Sequence, residues 1–164
     1  MGSEKKKIQL GKGLKNVVAI FVASGAFSGF FPVAPGTMGS AVGLLLVWLM
    51  KDLSWGFLAG AAMALLVIGV WGAGEMCQIL KKKDASQVVI DEIVGMMITM
   101  IGIPVTPYWL VIGFLIFRLL DIVKPAPAKH FDEKVAGGFG VMMDDVIAGI
   151  YGNLLLHLMI RAQI

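Results

Sequence analysis

A chain of 164 residues with 58% hydrophobic and 15% charged side chains is too apolar for an ordinary water-soluble domain, in which these classes run at about 45–50% and about 25%. Its net charge of +3 comes mostly from lysine clusters with no aromatic-rich basic stretch beside them, so anionic lipid headgroups are better partners than nucleic acid. The single cysteine, Cys77, excludes an intramolecular disulfide, and the sequence around it carries no motif.

Residues 1–14 form a basic N-terminal segment containing Lys5, Lys6, Lys7 and Lys12, and Met1-Gly2-Ser3 reads as a cloning remnant. Residues 15–164 read as one helical membrane domain. The apolar stretch 15–31, rich in Gly, Ala and Ser, follows the lysines as a signal peptide would, but it runs straight into Pro32-Val-Ala-Pro-Gly-Thr, which is no ordinary processing site. Further apolar runs cover residues 40–50, 53–73, 88–103, 107–123 and 141–160. A helix needs about 20 residues to cross the hydrocarbon layer. Runs 53–73 and 141–160 meet that length, 107–123 nearly does, 88–103 is marginal and 40–50 is short. Helix is the expected form throughout, because a lone segment in lipid must satisfy its own backbone hydrogen bonds. Breakers separate the runs: Pro32, Pro35 and Gly36, then Lys51-Asp52, Pro104 and Pro107, and finally Pro125, Pro127, Gly137 and Gly138. The expectation is an all-α, polytopic membrane protein with about five spanning helices and an N-terminal interfacial or re-entrant helix.

The charges give that arrangement a direction. Asp91 and Glu92 open one run, Asp121 closes the next, and Asp144 and Asp145 open the last. Consecutive antiparallel helices place all three positions at one membrane face. Lys81, Lys82, Lys83, Lys124, Lys129 and Lys134 fall on that face too, which makes it cytoplasmic by the positive-inside rule. The Pro-Gly-Thr segment lands there as well. Residues 15–31 must then enter and return, or lie in the interface.

Carboxylates in apolar helices are costly, roughly 2.5–3.5 kcal/mol each at mid-helix. Pairing with Arg118, Lys124 or headgroup water is the plainest reason for them. A metal site is the sharper one, since Mg²⁺ takes hard oxygen ligands and relieves the repulsion among clustered carboxylates. Pro35-Gly36-Thr37-Met38-Gly39-Ser40 is a Gly-rich loop opening a helix, where free N–H groups and the Thr37 and Ser40 hydroxyls suit an anion. It also reads as a flexible turn with Ser40 as N-cap. Arg118, Asp121 and Lys124 recur every third residue, on adjoining parts of one helical face. They form either an internal ion-pair ladder or a phosphate contact through Arg118 or Lys124 with Asp121 on a metal. Adjacent helical residues diverge by about 100°, so of Asp144 and Asp145 one is expected on the metal and the other on a neighbouring group or an attacking water, and likewise for Asp91 and Glu92. His130 and His157 read as structural, and Glu75 and Asp84 as interfacial charges.

Four strings carry a family resemblance: Ser28-Gly-Phe-Phe-Pro-Val-Ala-Pro-Gly-Thr-Met-Gly-Ser40, Val89-Ile-Asp-Glu-Ile-Val-Gly95, Phe117-Arg-Leu-Leu-Asp-Ile-Val-Lys-Pro-Ala-Pro127 and Gly137-Gly-Phe-Gly-Val-Met-Met-Asp-Asp-Val-Ile-Ala-Gly149. In this order they resemble the signatures of the phosphatidylglycerophosphatase A family. The resemblance implies hydrolysis of the phosphate monoester of phosphatidylglycerophosphate in a bacterial inner membrane, with Mg²⁺ required. It implies that Asp91, Glu92, Asp121, Asp144 and Asp145 form the metal and catalytic set; Asp145, Glu92 and Asp144 are the expected catalytic residues, with Asp145 or Glu92 the expected proton acceptor. Thr37, Gly39, Ser40, Arg118 and Lys124 are the expected phosphate-binding group.

The sequence has no Cys-x5-Arg loop, no Asp-x-Asp-x-Thr run and no His pair of the kind that serves as nucleophile in membrane phosphatases, which leaves metal-assisted attack by water. An ion or proton transporter would use carboxylates along a path at mid-helix, whereas these lie toward helix ends and 53–73 is bare. An enzyme transferring a phospho-alcohol would show an Asp-x2-Asp-Gly-x2-Ala-Arg pattern, and none is present.

Overall fold

A computed structural model describes residues 13–82, 85–128, 130–131 and 135–162. The expected roles of Lys5, Lys6, Lys7, Lys12, Lys83, Asp84, Lys129 and Lys134 lie outside these residues. Six α-helices of ten or more residues, a 3₁₀ turn at Ser28–Phe30 and no strand occur among the described residues: α1 (Leu14–Ala23), α2 (Pro35–Leu49), α3 (Trp55–Leu80), α4 (Ile90–Thr99), α5 (Pro107–Val123) and α6 (Gly138–Arg161).

Local chemistry sets the helix limits. Ser54 and Thr106 cap α3 and α5, each side chain accepting a hydrogen bond from a backbone N–H three residues on. Pro35 and Pro107 occupy the first helical positions of α2 and α5, where the missing N–H costs no intrahelical bond. Lys124 ends α5 in the left-handed region, at φ +47, and Pro125 blocks any continuation. Helix α5 has the predicted limits. Helix α2 starts five residues before the expected 40–50 run, so the Pro-Gly-Thr segment is the helix's first turn rather than a loop ahead of it. Helix α4 is shorter than the expected 88–103 run because the chain turns at Met100 and again at Gly102, at φ +74.

Helices α3 and α6, of 26 and 24 residues, are long and apolar enough to cross a membrane. Only 28% of the most apolar stretch of α3 is buried within the protein. Leu45, Trp48, Met63, Val67, Val111, Leu115, Leu154 and Leu158 add exposed apolar surface on α2, α3, α5 and α6. Such a surface suits lipid better than water.

Helix α4 is the buried centre. Its ten residues rise about 15 Å, half of a typical hydrocarbon layer. It packs on α2, α3, α5 and α6, and Val94, Met96, Met97 and Thr99 are fully enclosed. A helix ending inside apolar surroundings leaves carbonyls without partners. Asn153 of α6 resolves this by donating from Nδ2 to the carbonyls of Thr99, at 3.1 Å, and Ile101, at 2.7 Å. His157 Nε2 lies 3.3 Å from the same Ile101 carbonyl.

Helices α4 and α6 run parallel, since Gly95 meets Gly149 and, further along, Thr99 meets Gly152. Helix α5 runs against them, with Phe117 beside Gly95 and Gly113 beside Met100. The starts of α4 and α6 therefore meet the end of α5. Helix α2 brings its own start to the same place, as Gly36 and Gly39 abut Glu92 and Val89.

Candidate metal and phosphate site

At this end of the bundle lies a cavity of about 390 Å³, lined in part by Gly36, Asp91, Glu92, Arg118, Asp121 and Asp145. The four helix ends that carry the sequence strings thus build one site. Lys124 and Asp144 also face it.

Its densest feature is three carboxyl groups. Asp91, Glu92 and Asp145 each offer an oxygen within 4.8 Å of the others. Asp91 and Asp145 are buried, at 8% and 3% exposure, so water screens their repulsion poorly. The arrangement follows from the parallel packing of α4 and α6. Asp91 precedes Gly95 by four residues and Asp145 precedes Gly149 by four. The glycines are the point of closest approach, so both aspartates project into the angle between the helices about one turn away. Contrary to the expected divergence, Asp91 and Glu92 reach the same cluster. Glu92 has one methylene more than an aspartate, which lengthens its reach across that offset.

Glu92 Oε2 is buried and has no hydrogen-bond donor among the described residues. A buried carboxylate oxygen left without a donor is costly. A divalent cation among the three groups would supply the missing partner and offset their mutual repulsion. All three donors are hard carboxylate oxygens, the class that Mg²⁺ and Ca²⁺ prefer over thiolate and imidazole. The residues therefore fit a bound divalent ion.

Asp121 and Asp144 stand beside this triplet and face cations. Arg118 Nη1 donates to Asp121, and Lys124 Nζ donates to Asp144 at 2.8 Å. Asp144 and Asp145 thus diverge as helical geometry requires, one toward Lys124 and one into the triplet. Lys124 stands at the left-handed end of α5, and its Nζ reaches Asp144 on α6.

The expected phosphate-binding group is split. Arg118 and Lys124 line the cavity. Ser40 is fully buried, donates to the Gly36 carbonyl at 2.9 Å and stands 3.5 Å from Arg118 Nη1. Gly39 packs against Val89, where a Cβ would come within 2.8 Å of the valine's own. Thr37 is half-buried on the first turn of α2. At the cavity wall stands Gly36 instead. A side chain there would collide with Glu92 Oε1 and lie 3.3 Å from Arg118 Nη1. In the sequence Gly36 reads only as a helix breaker in a Gly-rich loop and Asn153 carries no signal, because a lone small or amide residue has no periodic pattern.

The model of the family described as phosphatidylglycerophosphatase A matches residues 21–160. Phosphatidylglycerophosphatase A of Escherichia coli strain K12 is 37% identical over 137 residues, 83% of this chain and 80% of that protein. The protein of the same name from Haemophilus influenzae is 36% identical over 138 residues, covering 82% and 84%. A putative phosphatidylinositol-3-phosphatase of Bacteroides thetaiotaomicron is 38% identical over 146 residues, covering 84% and 90%. No solved structure matches the chain.

Proposed function

The chain belongs to the phosphatidylglycerophosphatase A family, and on that premise we propose that it hydrolyses the phosphate monoester of phosphatidylglycerophosphate, giving phosphatidylglycerol and phosphate. The observation that carries the mechanism is the buried Asp91–Glu92–Asp145 triplet, with its donor-less Glu92 oxygen, on the wall of a cavity that also presents Arg118 and Lys124.

In this reading Asp91, Glu92 and Asp145 hold a Mg²⁺ ion, with Asp121 and Asp144 able to join them on exchange of their cation partners. When bound, the ion supplies charge neutralisation at the phosphoryl group and a more acidic attacking water. The protein supplies the rest. Arg118 presents a planar fork suited to two phosphate oxygens, and Lys124 adds a point charge. Ser40 and Asp121 orient Arg118. The first turn of α2 directs its unpaired N–H groups and positive dipole end at the anion, and Gly36 keeps that turn bare enough to approach. A carboxylate, Asp145, Glu92 or Asp144, takes the proton of the attacking water as the ester P–O bond breaks. The carboxyl so protonated returns a proton to the leaving alkoxide oxygen, which departs as the lipid's hydroxyl.

The same proposal places the protein in a bacterial inner membrane as a single domain, residues 15–164, with α2–α6 as five passes and α1 in the interface. Because α4 is enclosed by its neighbours, its length need not match the lipid. Lys81, Lys82 and Lys124 at the site end support a cytoplasmic orientation for it.

The name of the Bacteroides relative motivates a second substrate arm. Phosphatidylinositol 3-phosphate and phosphatidylglycerophosphate both carry a phosphate monoester on a polyol that a phosphodiester joins to diacylglycerol. The test is phosphate release by purified protein in mixed micelles with each lipid, before and after chelation. Release from phosphatidylglycerophosphate that chelation abolishes and Mg²⁺ restores is expected. No release from it rejects the activity, and full release after exhaustive chelation rejects the metal.

A further inference from the structure

Exposed apolar residues occur on α2, α3, α5 and α6 alike, but those of α5 run into the site. Among the described residues, Ile122 is the only large hydrophobic side chain that is exposed and also lines the site cavity. It is 72% exposed. It stands near the end of α5, four residues after Arg118, and residues at that spacing are neighbours on a helix surface. Ala34, the residue before α2, also lines the cavity and is exposed. Deeper in the bundle the two helices approach each other, with Arg118 Nη1 3.5 Å from Ser40 Oγ. Ala34 and Ile122 thus stand at the cavity mouth, one on each helix.

From Ile122 the exposed apolar face continues along α5 through Leu119, Leu115 and Val111. Spacings of three and four residues make these one continuous stripe. Positions 111 and 122 are eleven residues apart, or about 16 Å at the helical rise. That length matches one leaflet of a hydrocarbon layer about 30 Å thick. A lipid phosphate monoester would have its charged end in the cavity, beside Arg118 and Lys124, while its chains stay out of water. The cost of wetting the chains grows with every methylene. Their path must therefore begin where the cavity meets the apolar surface. The exposed large hydrophobics of α2, α3 and α6 offer no such start, because none of them lines the cavity.

We propose that the stripe of Ile122, Leu119, Leu115 and Val111 is the track along which an acyl chain of the substrate lies, and that the lipid enters the cavity sideways past Ile122. The proposal rests on the lipid phosphatase reading above. It makes Ile122 a substrate-binding residue that acts by chain contact and takes no part in the chemistry.

The test measures phosphate release from dioleoyl phosphatidylglycerophosphate in mixed micelles by Ile122→Asn and by Val67→Asn. Val67 is similarly exposed, but it lies on α3 and does not line the cavity. Ile122→Asn should raise KM about tenfold with kcat within about twofold, the pattern of a contact made equally in the ground and transition states. Ile122→Leu keeps the apolar contact and should keep the KM of the unsubstituted protein, and Val67→Asn should change neither constant. Leu119→Asn, about one turn along the track and outside the cavity lining, should raise KM about threefold or more, and it decides the question if Ile122→Asn does not fold. An unchanged KM in either variant that folds overturns the proposal, as does an equal rise in Val67→Asn or a loss confined to kcat. No release by the unsubstituted protein instead removes the phosphatase reading, and the track with it.

Discussion

Gly95 of α4 and Gly149 of α6 touch backbone to backbone: a Cβ on Gly149 would lie 2.5 Å from the Gly95 carbonyl oxygen. Small residues at a helix crossing let two backbones approach without side chains between them. Thr99 Oγ1, donating to the Gly95 carbonyl at 2.9 Å and 3.4 Å from that of Gly149, sits in the same seam. One turn from the crossing, Asp91 and Asp145 are drawn into a shared site. The spacing of the buried carboxylates is thus set by glycines that never touch a ligand.

Gly149→Ala should therefore damage the site at a distance. The added methyl meets backbone, which yields less readily than a side chain, so a cost of about 1–3 kcal/mol is expected. Thermal unfolding in detergent should shift down, and phosphate release should fall about tenfold or more. Gly60→Ala, on the open surface of α3 with nothing within 4 Å of its Cβ position, should change neither.

Asn153 gives a separate prediction about stability. Its amide is the donor to two carbonyls at the buried end of α4. Asn153→Leu removes the Asn153 donor from the Thr99 carbonyl and leaves the Ile101 carbonyl with His157 alone, for about 1–3 kcal/mol. The unfolding temperature should drop while KM for the lipid stays within about twofold. An unchanged unfolding temperature would show that α4 does not depend on this cap.

Much of this was legible in the sequence. Helix α5 lies between a Thr-Pro start and a Lys-Pro stop, and those signals are local. The three clusters of carboxylates converge because charge placement and antiparallel order are both readable. Helix α4 was not, because its true length depends on Asn153 and His157, which satisfy its end from 50 or more residues away. The first turn of α2 looked like a loop, since its glycines suit a turn. Gly39 and Gly43 are instead required by close packing against α4, at Val89 and Ile93.

Arg118→Lys keeps the charge but removes the fork that pairs with Asp121 and sits near Ser40. Charge-assisted hydrogen bonds are worth about 1.5–3 kcal/mol, so kcat/KM should fall roughly ten- to a hundredfold. Loss mainly in kcat would place Arg118 on the transition state, and loss only in KM would place it on ground-state binding.

Metal should stabilise the folded protein through the triplet. A ligand at a hundredfold its Kd raises stability by about 2.7 kcal/mol. Mg²⁺ should therefore raise the unfolding temperature over that in chelator. Asp145→Asn removes one negative charge from the buried cluster, so it should unfold no earlier than the unsubstituted protein in chelator and gain little from Mg²⁺. An equal gain in both proteins would locate the stabilising ion elsewhere.

The central claim is that Asp91, Glu92 and Asp145 together bind one divalent ion. Isothermal titration of Mg²⁺ into chelator-treated, detergent-purified protein measures this without reference to turnover. The unsubstituted chain should show saturable binding, and Asp91→Asn, Glu92→Gln and Asp145→Asn should each weaken it at least tenfold while remaining folded. Binding of unchanged affinity in all three variants, or none in the unsubstituted chain, would contradict it.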